Sequence, residues 1–272
     1  MSILTDCHLH SSYSGDSETP MEQTIQAAIQ KGLTHICFTE HMDFDFPEQF
    51  LSEPINFEVN TDAYLYELLQ LRHKYASQIK ILFGIELGLQ PGSVRKNLKY
   101  TKSYDFDFII ASSHLCHGVD PYYPSFYEGR SEEEAYLEYF ESILENIKLY
   151  QNFDVYGHLD YVVRYGPNKD TNYKYSTYKD IIDEILQTLI ANEKGIEINT
   201  AGLNKGLKDL HPCTDIIKRY KELGGEIITI GSDSHVPDTV ASHFDRAANV
   251  LKDCGFQYYC VFEGRYPEFL KL

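Results

Sequence analysis

The sequence predicts a single α/β barrel, and three observations point to it. Seven short runs rich in β-branched and aromatic residues recur along the chain, each followed by a helix-like stretch or a loop. These runs are almost continuously apolar, as strands buried on both faces of a parallel sheet must be. No linker-like change of composition divides the 272 residues, a length that one barrel fills. A doubly wound open sheet is the alternative architecture.

The elements follow in order. A first strand is expected over residues 2–8. A helix follows from Pro20 to Lys31, with Thr19 as N-cap, Pro20 at the first helical position and Gly32 just past the end. Strands at 34–39 and 79–86 flank a helix at 62–76. A strand at 106–112 precedes a helix at 132–149. Strands at 154–158, 195–199 and 226–231 alternate with helices at 176–193 and 213–223, the second closed by Gly224-Gly225. Ile227-Ile228-Thr229-Ile230 is the clearest strand of all. A helix at 239–253 and a last strand at 257–262 complete the chain, read as one domain over 1–272. Loops at 42–60 and 115–131 are long and carry aromatics, Pro and Asp, as lids and substrate walls do.

Composition excludes several classes. Apolar residues make up 43% and aromatics 14%, enough for a sizeable core. The formal net charge of −17 argues against nucleic acid or an anionic membrane as partner. The 6 cysteines (Cys7, Cys37, Cys116, Cys213, Cys254 and Cys260) form no C-x-x-C pair and read as buried free thiols. No basic-then-apolar leader precedes Thr5-Asp6-Cys7-His8, and no apolar run approaches the roughly 20 residues of a membrane span. A reducing cytoplasm is the expected compartment; oligomeric state is not legible.

The chemistry lies at the strand ends. The first strand ends His8-Leu9-His10, whose i, i+2 spacing turns both imidazoles to one side. The next ends Thr39-Glu40-His41, then Gly84-Ile85-Glu86, Ser112-Ser113-His114, Gly157-His158, Glu197-Ile198-Asn199 and Ser232-Asp233-Ser234-His235. In α/β barrels active sites are built at this end. A lone histidine near a strand end is more often structural, and His35, His73, His211 and His243 are assigned so; His117 stays undecided. Two H-x-H-like pairs with three further strand-end histidines are otherwise hard to bury. They point to a polynuclear metal site. Imidazoles and carboxylates without thiolates suit Zn, Mn or Fe, and the set is too large for one ion. Cys7 is expected to point away from His8 into the core. Clustered ions bridged by carboxylate suit phosphoester hydrolysis, because they activate water and neutralise phosphoryl oxygens.

D-C-H-L-H-S-S-Y-S-G-D at 6–16, E-H-M-D at 40–43, G-I-E-L-G at 84–88, S-S-H at 112–114, G-H-L-D at 157–160 and G-S-D-S-H at 231–235 resemble the polymerase-and-histidinol-phosphatase family. The likeness is greatest to its histidinol-phosphate phosphatase branch, through the S-G-D continuation, the long aromatic loop, G-H-L-D-Y-V-V-R and E-I-N-T-A-G at 197–202. The resemblance implies a distorted (β/α)7 barrel with three divalent ions. One would be held by His8, His10, Glu86 and Asp233. A second would be held by Glu86, His114 and His158, and a third by Asp16, His41 and His235. It further implies Arg164 as a phosphate-gripping guanidinium. Similar enzymes carry a second arginine after E-I-N-T-A-G. Here Gly202-Leu203-Asn204-Lys205 stands there, and Lys205 would replace the fork with a point charge.

The implied substrate is the small phosphate monoester L-histidinol phosphate. Asp160, or water on a metal, would protonate the leaving oxygen, with Glu86, Asp233 and His235 in the catalytic centre. Glu40, Asp43 and Asp45 are candidates for binding the substrate ammonium. Phe44, Phe46, Tyr122, Tyr123 and Phe126 are candidates for walling its imidazole. The rivals are a phosphoesterase of the same family with another small substrate, an amidohydrolase-type enzyme, and a metal-stapled binding module. The amidohydrolase reading wants a strand-borne lysine where Glu86 stands. The binding module predicts saturated metals.

Overall fold

The computed structural model describes residues 3–47 and 56–272. Residues 48–55, within the first long loop, and the start of the predicted first strand lie outside the described residues. Seven parallel strands run in sequence order: β1 (Thr5–Leu9), β2 (His35–Met42), β3 (Lys80–Gly88), β4 (Phe108–Ser112), β5 (Val155–Tyr156), β6 (Gly195–Asn199) and β7 (Ile228–Gly231). Beyond β7 the chain returns to β1: the N–H of Asp233 donates to His8 O at 2.9 Å, and that of His10 to Ser234 O at 2.9 Å. The ring is thereby nearly closed at its C-terminal end. It is the expected (β/α)7 barrel, not the open sheet.

Helices α1 (Met21–Gln30), α2 (Thr61–Lys74), α3 (Val94–Thr101), α4 (Glu132–Leu149), α5 (Lys179–Ala191), α6 (Ala201–Asn204), α7 (Thr214–Glu222) and α8 (Phe244–Asp253) occupy the connections. Alternate strand residues such as Ile36, Phe38, Ile85, Ile109, Ile198 and Ile230 belong to the larger buried cluster with the helices. The other set, Cys7, Cys37, Leu82, Phe108, Ile110 and Val155, forms a second cluster at the barrel floor. The predicted last strand exists as β8 (Tyr258–Glu263), but it pairs antiparallel with β9 (Tyr266–Lys271) in a separate two-stranded sheet. Cys260, Val261 and Phe262 of β8 plug the floor, with Phe262 stacked on Phe108 at 5.1 Å.

Several helix ends differ from expectation. Pro20, not Thr19, occupies the N-cap of α1, because its extended ψ of 136° precedes the first helical turn. Thr19 spends its hydroxyl elsewhere, donating to His235 O at 2.8 Å. Gly32 follows the helix with φ +76°, the left-handed conformation expected of a residue just past a C-cap. The helix predicted from 239 begins at Phe244, after a short turn at Pro237–Thr239. The short, polar α3 and the one-turn α6 carry too few apolar residues to be read from the sequence.

Candidate metal centre and active site

The side chains expected to hold metal stand where the strands leave the barrel. β1 carries one extra residue against β2, since Asp6 pairs with Ile36 but Leu9 pairs with Phe38. This bulge breaks the two-residue alternation. Cys7 is buried as expected, but it does not simply oppose His8; it packs in the floor cluster below it. His8 and His10 converge, with their Nε2 atoms 3.0 Å apart. β7 contributes no bulky side chain at Gly231: a Cβ there would lie 2.3 Å from His8 Cβ and 2.4 Å from Glu197 Oε1. Asp233 follows at φ +51°, a left-handed conformation that aspartate tolerates better than most residues.

Glu86 is fully buried at the centre. Its Oε2 lies 3.3 Å from His8 Nε2, 3.5 Å from His10 Nε2 and 3.0 Å from His41 Nδ1. Its Oε1 lies 3.2 Å from His114 Nε2 and 2.9 Å from His158 Nε2. Asp233 Oδ1 is 3.5 Å from His10 Nε2 and 3.7 Å from His8 Nε2. Asp16 faces His41 Nε2 at 3.6 Å and His235 Nε2 at 3.2 Å. His10, His41 and His235 also form a close trio, His10 stacking on the other two at 4.3 and 4.2 Å. All nine metal ligands expected from the sequence therefore meet in one place: His8, His10, Asp16, His41, Glu86, His114, His158, Asp233 and His235.

Outer partners fix the rings. His8 Nδ1 meets Glu197 Oε1 at 2.6 Å, His10 Nδ1 meets Ser14 Oγ at 2.9 Å, and His114 Nδ1 meets Asp43 Oδ1 at 2.8 Å. Such contacts set which nitrogen faces inward. Glu40 supports this layer by accepting from Ser11 Oγ at 2.5 Å and Ser14 Oγ at 2.6 Å. Fully buried there, it is not among the residues lining the cavity, so the structure does not offer it to a substrate ammonium. Asp45, also considered for that role, pairs with Lys96 at 2.5 Å. Sequence reasoning missed Asp6, whose carboxylate accepts from Ser232 N, Ser232 Oγ and Ala241 N and so anchors the segment bearing Asp233 and His235.

The cluster is electrostatically coupled. Burial opposes ionisation of Glu86, but His8, His114 and His41 outweigh it and hold the carboxyl well below its usual range. For Asp233, burial is likewise outweighed by His8, His10 and Arg164. Burial, with His235 and His41, lowers His10 to about 3, keeping it a neutral imidazole. His114 goes the other way: Asp43 and Glu86 overcome burial and raise it to about 10.

The donor set fits divalent cations. Ligand atoms bonded to a common ion at about 2.1 Å sit about 3.0–3.4 Å apart. The separations above cluster around those values. Glu86 Oε2, His41 Nδ1 and His235 Nε2 are buried without a hydrogen-bond partner. Lone pairs facing one another at such distances are stabilised by a cation between them.

A cavity of about 660 Å³ opens above the ligands. Arg164 lines it, 7% exposed, with its Nη atoms 3.3–3.4 Å from Asp233 Oδ2 and its guanidinium over the Tyr161 ring at 5.3 Å. Behind it, Arg164 Nε donates to His211 Nε2 at 3.5 Å, and His211 Nδ1 meets Asp160 Oδ1 at 2.5 Å. Asp160 also accepts from Cys213 N at 2.9 Å and is absent from the cavity lining. Its carboxylate is engaged behind Arg164 by His211 and Cys213 N. His211, assigned from sequence to a general structural role, belongs to the same chain of contacts. Lys205 is exposed at the rim. Of the expected aromatic wall, Phe46, Tyr122 and Tyr123 line the cavity. Phe44 packs against Tyr100 and Phe126 lies under Arg130 instead. Tyr161, Tyr165 and Asp120 also line it, and no metal-like spacing in the sequence marks them. Burial raises Asp120 to about 6.

A carboxylate–imidazole cluster at the C-terminal mouth of a seven-stranded α/β barrel defines a metal-dependent hydrolase. Residues 6–201 match the PHP domain, and the chain belongs to that family. It is 36% identical over 260 residues to the histidinol-phosphatase of Lactococcus lactis subsp. lactis, covering 95% of this chain and 94% of that one. It is 35% identical to a probable histidinol-phosphatase of Clostridium acetobutylicum, covering 94% and 95%. The crystal structure of the Lactococcus lactis histidinol phosphate phosphatase, complexed with zinc, L-histidinol and phosphate, superposes with a TM-score of 0.87 at 34% identity, covering 97% and 98%. A Listeria monocytogenes structure at 19% identity and TM-score 0.77 shares the fold.

Proposed function

We infer that this chain is a phosphoric monoester hydrolase that converts L-histidinol phosphate to L-histidinol and phosphate, a step of histidine biosynthesis. The single observation that carries the substrate is the full-length similarity to the Lactococcus lactis enzyme, whose structure holds zinc, L-histidinol and phosphate. The reading takes residues 1–272 as one phosphoesterase domain, because Asp233, His235 and Lys205 lie beyond the family match yet belong to the cavity. Six free thiols agree with a cytoplasmic setting. Among the described residues no helix is long and apolar enough to cross a membrane.

The reading places three ions, one on His8, His10, Glu86 and Asp233, one on Glu86, His114 and His158, and one on Asp16, His41 and His235. The close trios His8, His10 and Asp233, His10, His41 and His235, and His41, Glu86 and His114 support a polynuclear site. Zn, Mn or Fe suits this donor set. When bound, such ions polarise phosphoryl oxygens and supply activated water. The protein's own part is placement. Glu86 turns one oxygen toward each of two ligand groups and so fixes their spacing. Arg164, next to Asp233, presents a guanidinium to the phosphoryl group, and Lys205 adds charge at the rim. Asp233 and His235 line the same cavity, and the reading keeps them in the catalytic centre. With Asp160 withdrawn behind Arg164, water remains the proton donor among those considered.

The test is phosphate release from L-histidinol phosphate beside p-nitrophenyl phosphate and nucleoside monophosphates, before and after chelation and after reloading with Zn or Mn. A kcat/KM preference for L-histidinol phosphate, lost on chelation and restored by metal, is expected. Chelator-sensitive activity without that preference would assign the chain to another small phosphate monoester.

A further inference from the structure

The phosphatase centre is built from imidazoles and carboxylates alone. A second cluster of metal-binding side chains lies outside it, and this one contains a thiol. Cys116, His117 and Glu138 each offer one ligand atom, a sulfur, a ring nitrogen and a carboxylate oxygen, and these atoms all lie within 4.8 Å of one another. None of the three residues lines the active-site cavity.

Local structure brings them together. Cys116 and Val119 close a two-residue turn, with Cys116 N donating to Val119 O at 2.9 Å and Val119 N to Cys116 O at 3.0 Å. Its central residues, His117 at φ +50° and Gly118 at φ +81°, are both left-handed, as so tight a loop requires. The turn is docked on α4, where the Cys116 thiol donates to Glu138 O at 3.7 Å. Cys116 is buried, Glu138 is half-buried and His117 is exposed, so the sulfur sits just beneath two side chains that solvent reaches. Among the described residues no hydrogen bond or ion pair engages the His117 ring. Arg130, held by the Phe126 carbonyl and ring, pairs with Glu138 Oε2. That pair orients the carboxylate, which has a second oxygen to offer. α4 carries Glu138, Glu141 and Glu145 along one side and its single lysine, Lys148, in the last turn, so the surroundings stay acidic.

Thiolate, imidazole and carboxylate donors with a fourth position open to water suit a tetrahedral ion such as Zn. Donors on one such ion stand about 3.3–3.7 Å apart. Rotation of the His117 and Glu138 side chains, both at the surface, closes the remaining distance. We propose that Cys116, His117 and Glu138 form a further metal site, separate from the phosphatase centre, that takes one thiolate-preferring divalent cation and ties the 115–119 turn to α4. On binding, the ion bonds to sulfur and the thiol proton leaves to solvent.

Co is the probe, because its thiolate-to-metal charge-transfer absorption in the near ultraviolet reports sulfur ligation. The phosphatase centre offers no thiolate and is silent in that band. Chelator-treated, full-length protein is titrated with Co, and bound metal is counted by elemental analysis after desalting. Wild type should develop the band and hold one ion more than Cys116→Ser, which should lack the band. His117→Ala and Glu138→Gln change side chains at the surface and keep the fold. Each should weaken Co at this site by at least about 10-fold, since losing even an outer-shell partner costs that much. Cys213→Ser and Cys254→Ser, at the thiols that are less deeply buried, should retain the band. Hydrolysis of p-nitrophenyl phosphate by the zinc-loaded variants should match wild type; a loss in parallel with the band would deny that the site is separate. Absence of the band in wild type, or a band that survives Cys116→Ser, overturns the site. So does a band lost in Cys116→Ser but unmoved by both His117→Ala and Glu138→Gln, which would mark a lone reactive thiol.

Discussion

Glu86 and Arg164 show how much one residue can carry. Glu86 faces five histidines with its two oxygens, His8, His10 and His41 on one side and His114 and His158 on the other. Glu86→Gln replaces one oxygen with an N–H donor that repels a cation. Metal content should fall by at least one ion per chain, and kcat/KM should drop by about 1,000-fold or more; elemental analysis beside a phosphate-release assay checks this. Full metal content with wild-type turnover would remove Glu86 from the centre. Arg164 depends on what stands behind it. Asp160→Asn or His211→Ala should leave metal content intact but let the guanidinium drift, raising KM about 10- to 100-fold. If Asp160 acted as the acid instead, kcat would fall, with a change in the alkaline limb of the pH profile.

Elements position these residues by close approach as much as by polarity. β7 passes β1 with room for His8 and Glu197 because residue 231 is glycine. Gly231→Ala should displace the His8 ring and reduce bound metal while the helix content by circular dichroism is kept. Retention of full metal would show that β1 yields easily there. At the opposite end, β8 closes the floor with Phe262, 4% exposed and stacked on Phe108. Phe262→Ala should cost about 3–5 kcal/mol of stability by denaturant unfolding. Activity per folded molecule should be nearly unchanged, because the floor lies at the other end of the strands from the ligands. A specific loss of kcat with stability unchanged would contradict this separation.

Across the whole molecule, folding and metal binding share one set of charges. In the metal-free protein His8, His41, His114 and His235 are held above their ordinary range, after burial is outweighed by neighbouring carboxylates. A metal ligand must shed that proton, so loading should release protons at neutral pH, and apparent affinity should weaken as pH falls. Titration of chelator-treated protein with Zn in weak buffer checks the release; uptake with none would contradict it. The same shifts predict the stability of the metal-free form. The raised histidines contribute fully below the ordinary histidine pKa, and this is lost as pH rises, through about 10 for His114. The lowered Glu86 and Asp233 contribute above the ordinary carboxylate pKa and lose this as pH falls. His10, lowered to about 3, and His158, also lowered, cost stability below the ordinary histidine pKa. The three effects are best reconciled at about pH 6.5, where Tm of the metal-free protein should be greatest.

The barrel and the convergence of strand-end histidines and carboxylates were legible in the sequence for a local reason, whereas Asp16, which lies beyond β1, came only with the family resemblance. Apolar runs mark buried parallel strands, and ligands at strand ends inherit their direction from the strand, so order along the chain maps onto order around the barrel. Residues that act through another element were not legible. Asp43 reads as a loop carboxylate until the turn of the chain sets it on His114, and His211 reads as structural until Asp160 and Arg164 close on it. Asp120 carries no metal-like spacing in the sequence; the fold alone buries it in the cavity lining. Periodicity and spacing are properties of neighbours in sequence, so they fix strands and the ligands strands carry. Which carboxylate is free, and which is already spoken for, depends on contacts between distant segments, and the tertiary structure alone decided it.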